Sequence, residues 1–258
     1  MNKKGFISSA LLYGILALFL IIMLSTIAVL GNRKLNIDKL KENAAITSEK
    51  GYQSPETIYA LYDAYQEPQR LSGSGMDEVN IWRDMSGNGH NITMGGYIYY
   101  GATDVAIGNP YQLSTGIRLS NLGNEFTITT VVENITEGGI WGNNIYASID
   151  ENGLNVCYIT NTGSEACKTV PKEQYENKKI NLTAVYQNKK GVYVYINGTN
   201  ISGETSTGGA FPPKDNSQFY IGIDNFKGKL YGLVINKKAL TDEEIVENYN
   251  YVKERYNI

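Results

Sequence analysis

Five groups of residues in this chain have types and spacings that can do chemistry. Asp84, Ser86 and Asn88 place side-chain oxygens at alternate positions ahead of Gly89, the spacing that opens a calcium loop. The twelfth position of such a loop is Gly95, which offers no carboxylate, so an EF-hand is excluded. Asp84 and Asn88 remain candidate calcium ligands that would borrow partners from other loops. The same spacing also builds an Asx turn that satisfies its own backbone, and this is the favoured reading. Trp141, Asn143 and Tyr146 form the best candidate ligand site, because an aromatic face packs on the apolar face of a pyranose and an amide beside it reads hydroxyls. Tyr97, Tyr99, Tyr100, Tyr193 and Tyr195 are further aromatic candidates, although tyrosine also favours strands and pairs across them.

Catalytic constellations are sparse. Asp150 and Glu151 are adjacent just before Asn152-Gly153, which suits the acidic shoulder of a turn better than two carboxyl groups flanking one glycosidic bond. His90 is the only histidine and has no arranged serine or cysteine partner, so it is read as structural. Phosphate-binding glycine loops and HExxH are missing. A binding protein rather than an enzyme is expected. The two cysteines, Cys157 and Cys167, lie equally far from Thr162 in the turn Asn161-Thr162-Gly163-Ser164. A symmetric hairpin of Leu154 to Ile159 with Ala166 to Val170 would set them opposite each other, close enough for a disulfide.

The elements that must hold these residues are mostly strands. Phe126 to Val132, Ile180 to Tyr186 and Gly191 to Ile196 are short runs of β-branched and aromatic residues. Asn188-Lys189-Lys190-Gly191 and Asn197-Gly198 mark tight hairpins. One helix stands out near the end. Thr241 and Glu244 make a capping box, Leu240 and Ile245 a hydrophobic staple, and Ile245, Tyr249, Val252 and Tyr256 share one face. The expected fold is mainly β, a two-sheet antiparallel jelly-roll sandwich with a short C-terminal helix.

Ahead of this head, Ala10 to Leu30 is apolar and uncharged behind Lys3 and Lys4. At about 1.5 Å per residue it spans a hydrocarbon core of roughly 30 Å as one helix, and it is longer than a signal-peptide core. Residues 1–30 are therefore read as a basic N terminus and single transmembrane helix, 31–52 as a helical stalk, and 53–258 as the head. Arg33, Lys34, Lys39 and Lys41 follow the span, so positive charge leaves the orientation open. The cysteine pair decides it: a disulfide belongs in an oxidising exterior, which makes this a single-pass membrane protein with an extracytoplasmic head. A net charge of −3 without a basic patch excludes nucleic acid as partner.

Two resemblances add to this. Trp82-Arg83-Asp84-Met85-Ser86-Gly87-Asn88-Gly89, and Phe226 to Leu230 followed by Ala239-Leu240-Thr241-Asp242-Glu243-Glu244-Ile245, resemble bacterial laminin-G-like domains of the concanavalin A-like lectin/glucanase group. Tyr62-Asp63-Ala64 resembles that group's opening strand. Tyr231-Gly232 departs from it, standing where an acidic pair is common. The resemblance implies a jelly roll that binds glycans or surface proteins, as in adhesion, and does not imply catalysis. Lys3-Lys4-Gly5-Phe6 resembles a type IV prepilin cleavage site, with cutting after Gly5 and Phe6 as the new N terminus. Ala10 stands where that family carries a glutamate. The second expectation is thus a minor pilin or pseudopilin with a laminin-G-like head and pilin-like assembly.

Overall fold

The computed structural model describes residues 51–64, 69–70, 80–94, 98–100, 105–107, 112–160, 163–188, 190–202 and 217–258. The expected membrane helix, the stalk up to residue 50 and the prepilin-like Gly5-Phe6 pair lie outside these residues. Among the described residues no helix is long and apolar enough to cross a membrane. The head belongs to one compact unit, Thr47–Ile258.

In chain order the strands are β1 (Ile58–Asp63), β2 (Gln69–Arg70), β3 (Asn80–Trp82), β4 (Ile92–Met94), β5 (Ile98–Tyr100), β6 (Val105–Ile107), β7 (Leu113–Arg118) and β8 (Glu125–Gly142). They continue as β9 (Ile145–Asp150), β10 (Gly153–Ile159), β11 (Glu165–Val170), β12 (Lys179–Gln187), β13 (Gly191–Ile196), β14 (Thr199–Asn200) and β15 (Gln218–Asn236). Helix α1 (Lys172–Tyr175) is a single turn and α2 (Asp242–Tyr256) closes the chain.

The two long strands, β8 and β15, organise everything else. They pair antiparallel from Gly142–Tyr220 to Thr127–Asn236, with register shifts that break the ladder near its middle. On one side of those shifts the order is β1-β15-β8-β12-β13-β14; on the other it is β7-β15-β8-β9-β10-β11. The bulges let each long strand serve two layers, because an extra residue bends and twists a strand locally. The layers are a β-sandwich of jelly-roll type. Ile128, Leu182, Val194, Leu230 and Leu233 from the first layer meet Trp141, Ile145, Ala147, Val156 and Ile221 from the second in one buried core.

The outer surfaces of the two layers differ. In β12 every residue from Ile180 to Tyr186 is buried, and β8 is buried from Phe126 to Val132, so this sheet is covered on both faces. The cover is α2. Its Val252 and Tyr256 pack on Leu61, Val131, Tyr231 and Val234, and its Ile245 packs with Leu240 on Val185 and Tyr195. Both arms of the capping box are formed: Glu244 N donates to Thr241 Oγ1, and Thr241 N donates to Glu244 Oε2. Tyr52 is also in this cluster, against Tyr251. The second layer is one-sided by contrast. β7 and the first four residues of β9 alternate between buried and more accessible positions, which leaves one face open to solvent.

Candidate functional site

The open face of the second layer carries a cleft of about 400 Å³ lined by Gln112, Gly142, Asn143, Tyr146, Ser148, Tyr220, Ile223 and Asp224. Strand alternation places most of these. In β9, Ile145 and Ala147 point into the core, so Tyr146 and Ser148 face outward. In β15, Phe219 and Ile221 are buried and Tyr220 between them is not. The floor depends on two glycines: a Cβ on Gly139 or Gly142 would overlap the Ile223 side chain, which lies across both. Two tyrosines and an isoleucine thus provide apolar surface, while two amides, a hydroxyl and a carboxylate surround it.

Asn143, Tyr220 and Tyr146 are held by neighbours. Asn143 Nδ2 donates to the Gln218 carbonyl (3.0 Å), which leaves its oxygen as an acceptor. Tyr220 Oη donates to Gln218 Oε1 (3.1 Å), which also accepts from Ser114 Oγ (3.2 Å). Tyr146 Oη hydrogen-bonds Glu165 across the sheet and lies 3.8 Å from Cys167 Sγ. Asp224 has φ 49° and Asn225 φ 64°, a left-handed pair inside β15. Between Ile223 and Lys227 the register advances four residues against two on β8, and this bulge carries Asp224 to the cleft rim.

Of the expected ligand residues, Asn143 and Tyr146 line the cleft and Trp141 does not. Trp141 is fully buried in the core, paired with the inward-facing Ala147, so it cannot touch a ligand. The other tyrosines divide similarly. Tyr195 is buried with its hydroxyl bonded to Asp242, and Tyr193 packs in the same cluster. Tyr97 and the side chains of Tyr99 and Tyr100 lie outside the described parts. Gln112, Ser148, Tyr220, Ile223 and Asp224 were missed, though the Phe219-Tyr220-Ile221 alternation was a signal for Tyr220.

The Asp84 turn has another task. Its Oδ1 accepts from Leu61 N (3.0 Å) and Ser86 N (2.9 Å), and its Oδ2 accepts from His90 N (3.0 Å). Asn88 turns its amide nitrogen to the carbonyls of Ile58 (3.3 Å) and Tyr59 (3.0 Å). Carboxylate oxygens committed to backbone N–H groups, and an amide presenting N–H instead of oxygen, replace the calcium expectation with an Asx turn stapled to β1. His90 tilts against Tyr59, 4.5 Å between ring centres. Asp150 Oδ1 accepts from Asn152 N (2.7 Å) and Gly153 N (3.2 Å), and the Asn152 bond foremost holds its carboxyl below the usual value. It is the turn shoulder expected. The Cys157–Cys167 disulfide is formed between directly paired residues, with Cα atoms 4.1 Å apart. These two cysteines with Glu165 are a metal-sized cluster in space, but bridged sulfurs are no ligands.

A two-layer sandwich with one helix-covered face and an aromatic, polar cleft on the other is a lectin-like jelly roll. The laminin-G-like model described as concanavalin A-like lectin/glucanases superfamily matches residues 93–246, and the chain belongs to that family. The Trp82 turn that carried part of the resemblance precedes the matched span. Similar solved structures include a Trypanosoma rangeli sialidase with 2,3-difluorosialic acid (TM-score 0.61, 13% identity, covering 88% of this chain and 39% of that one). The binding domain of botulinum neurotoxin DC is similar both in complex with SialylT (TM-score 0.55, 13% identity, 76% and 51% covered) and with rat synaptotagmin II (0.56, 15%, 76% and 52%). The chain therefore spans about half the length of the toxin domains, 51–52%, and less of the sialidase, 39%. These likenesses show the fold. Comparison with curated proteins finds no match.

Proposed function

We propose that this protein is a membrane-anchored, extracytoplasmic carbohydrate-binding module acting in adhesion, and that it binds without turning its ligand over. The cleft carries the reading: Tyr146 and Tyr220 offer ring faces beside Asn143, Ser148 and Asp224, the combination that suits a pyranose. Among the described residues Val246 is the only large hydrophobic side chain freely exposed, which speaks against a broad apolar protein interface. Solved structures of similar fold were determined with SialylT, with 2,3-difluorosialic acid and with a protein, synaptotagmin II, which is consistent with a glycan or a surface protein as ligand. Support for binding without hydrolysis comes from the cleft, where Asp224 is the sole carboxylate among the described lining residues, while Asp150 is committed to its own turn. Support for the exterior comes from the disulfide, and for the anchor from the apolar run Ala10 to Leu30.

A glycan array tests the reading. Wild-type protein should bind a defined subset of glycans, and Tyr146→Ala and Tyr220→Ala should each abolish the signal while leaving the thermal midpoint near that of wild type. Folded protein that binds no glycan overturns it. Carbonate extraction tests the anchor, since release of intact full-length protein into the soluble fraction refutes it. The Lys3-Lys4-Gly5-Phe6 motif favours one second reading, a minor pilin or pseudopilin. Mass spectrometry of the mature N terminus separates the two: a methylated Phe6 start selects the pilin, and an uncleaved Met1 start the simple anchor.

A further inference from the structure

The cleft carries a negative charge where a sialic-acid site needs a positive one. Asp224 reaches its rim on the left-handed bulge of β15, a backbone conformation that a non-glycine residue adopts at a cost and that here aims a carboxylate into the site. Among the described residues no hydrogen bond or ion pair engages that carboxylate. Asn143 spends one N–H on Gln218, which fixes its amide and leaves its oxygen as an acceptor. Tyr220 likewise spends its proton on Gln218 Oε1 and retains lone pairs. No Lys or Arg is among the described lining residues. The nearest cation along β15, Lys227, is paired with Glu137 on β8 at 2.5 Å. Glu165 adds a further negative charge behind Tyr146.

A ligand that fits this cleft brings hydroxyl donors and no negative charge. We infer that the cleft selects neutral saccharides, with Asp224 accepting from ring hydroxyls as the specificity-determining residue, and that it discriminates against sialylated and other carboxylate-bearing glycans. The inference rests on the carbohydrate-binding reading above and narrows its ligand class. Its physical basis is asymmetric. A carboxylate accepts two sugar hydroxyls readily, whereas a ligand carboxylate brought beside Asp224 is repelled and meets no cation among the described lining residues.

The test compares matched ligands on the full chain in a detergent without a sugar headgroup. Calorimetric titration is run with neutral gluco-, galacto-, manno- and N-acetylglucosamine oligosaccharides, and with sialyllactose, lactose and oligogalacturonate. At least one neutral series should bind, with every acidic ligand weaker than its neutral counterpart by roughly tenfold or more. Asp224→Ala should weaken the neutral ligand, and Asp224→Lys should lower neutral affinity while raising that for sialyllactose. Asp224 is exposed on its bulge, so an unchanged thermal midpoint shows that both variants fold. Acidic ligands binding as tightly as neutral ones, or a preference that Asp224→Lys leaves unmoved, overturns the inference alone. Silence from all ligands overturns it together with the carbohydrate-binding reading.

Discussion

Removing the Cys157–Cys167 bridge should lower stability by an amount set mainly by the unfolded chain. The cysteines are separated by 10 in sequence. Closing a loop of about that size removes about 9 cal/mol/K from the denatured ensemble in the chain-entropy model, worth about 2.7 kcal/mol at 25 °C. For a domain of roughly 200 residues each kcal/mol moves the thermal midpoint by about 2–4 °C, so the expected fall is roughly 5–11 °C. Alanine is the right replacement, because Cys157 is fully buried and a serine hydroxyl there would add a desolvation cost of its own. The effect should also reach the cleft. β11 is an edge strand whose ladder partner among the described residues is β10, and it carries Glu165, which fixes the Tyr146 hydroxyl. The assay is thermal unfolding by near-UV circular dichroism for the parent and the Cys157→Ala/Cys167→Ala protein, with thiol counts on denatured, non-reduced parent. A midpoint unchanged within error refutes the loop argument; two reactive thiols per parent chain refute the bridge and remove the support for an exterior location.

Three further changes probe separate parts of the head. Arg255→Ala leaves Asp63, whose side chain is 7% exposed, without its guanidinium partner, and should cost about 3 kcal/mol or more in urea unfolding; a loss below about 1 kcal/mol would show that the pair does not persist in solution. Burial alone would raise the Glu244 carboxyl, but Lys238, Ser54 and the Thr241 N–H together hold it below the ordinary value. Its folded-state pKa is therefore the lower one, so its contribution is present above the unfolded-state value and is lost as pH falls through the folded one. Glu244→Gln should accordingly flatten the decline of thermal midpoint on acidification, and an unchanged profile would contradict that. Gly142→Ala should displace Ile223 from the cleft floor, weakening glycan binding more than it weakens the fold, for which about 1–3 kcal/mol is expected; full affinity in titration would show that Ile223 does not shape the site.

Much of the scaffold was legible because its signals are local. The capping box at Thr241 and Glu244 formed as its residue types demand, since both partners lie within one helical turn. The hairpin turn Asn197-Gly198 has both residues left-handed, at φ 51° and 75°, the geometry that Asn-Gly favours. Cys157 and Cys167 met because a symmetric hairpin fixes its own register. The role of β8 and β15 was not legible. In sequence only Phe126 to Val132 stands out as a strand run in this pair, and only pairing with partners far along the chain shows that a single strand runs through both layers. The departure at Tyr231-Gly232 gained its reason only in three dimensions: a Cβ at Gly232 would lie 2.6 Å from the Tyr256 hydroxyl, so α2 packs where a side chain would stand.

The site divides along the same line. Regular alternation in Ile145-Tyr146-Ala147-Ser148 gives the outward face of Tyr146 without any structure. Trp141 defeats that parity, because the register shifts between Gly139 and Trp141 and consecutive residues Ile140 and Trp141 are both buried. A one-residue bulge thus turns the most conspicuous aromatic of the stretch away from solvent. Asp224 is the opposite case: a bulge turns a residue with no distinguishing sequence context into the cleft. Irregular strand geometry, which sequence periodicity cannot follow, therefore decides which side chains line the cleft, while regular geometry supplies the rigid face on which they stand. The covered sheet shows why only one face was available for this. With α2 fastened across the first layer, and Gln53 and Ser54 tied to its Asn248 and Glu244, that surface is spent on stability and on holding the start of the head. The cleft sits on the opposite layer, where loops and bulges shape its lining at a distance from the α2 cluster.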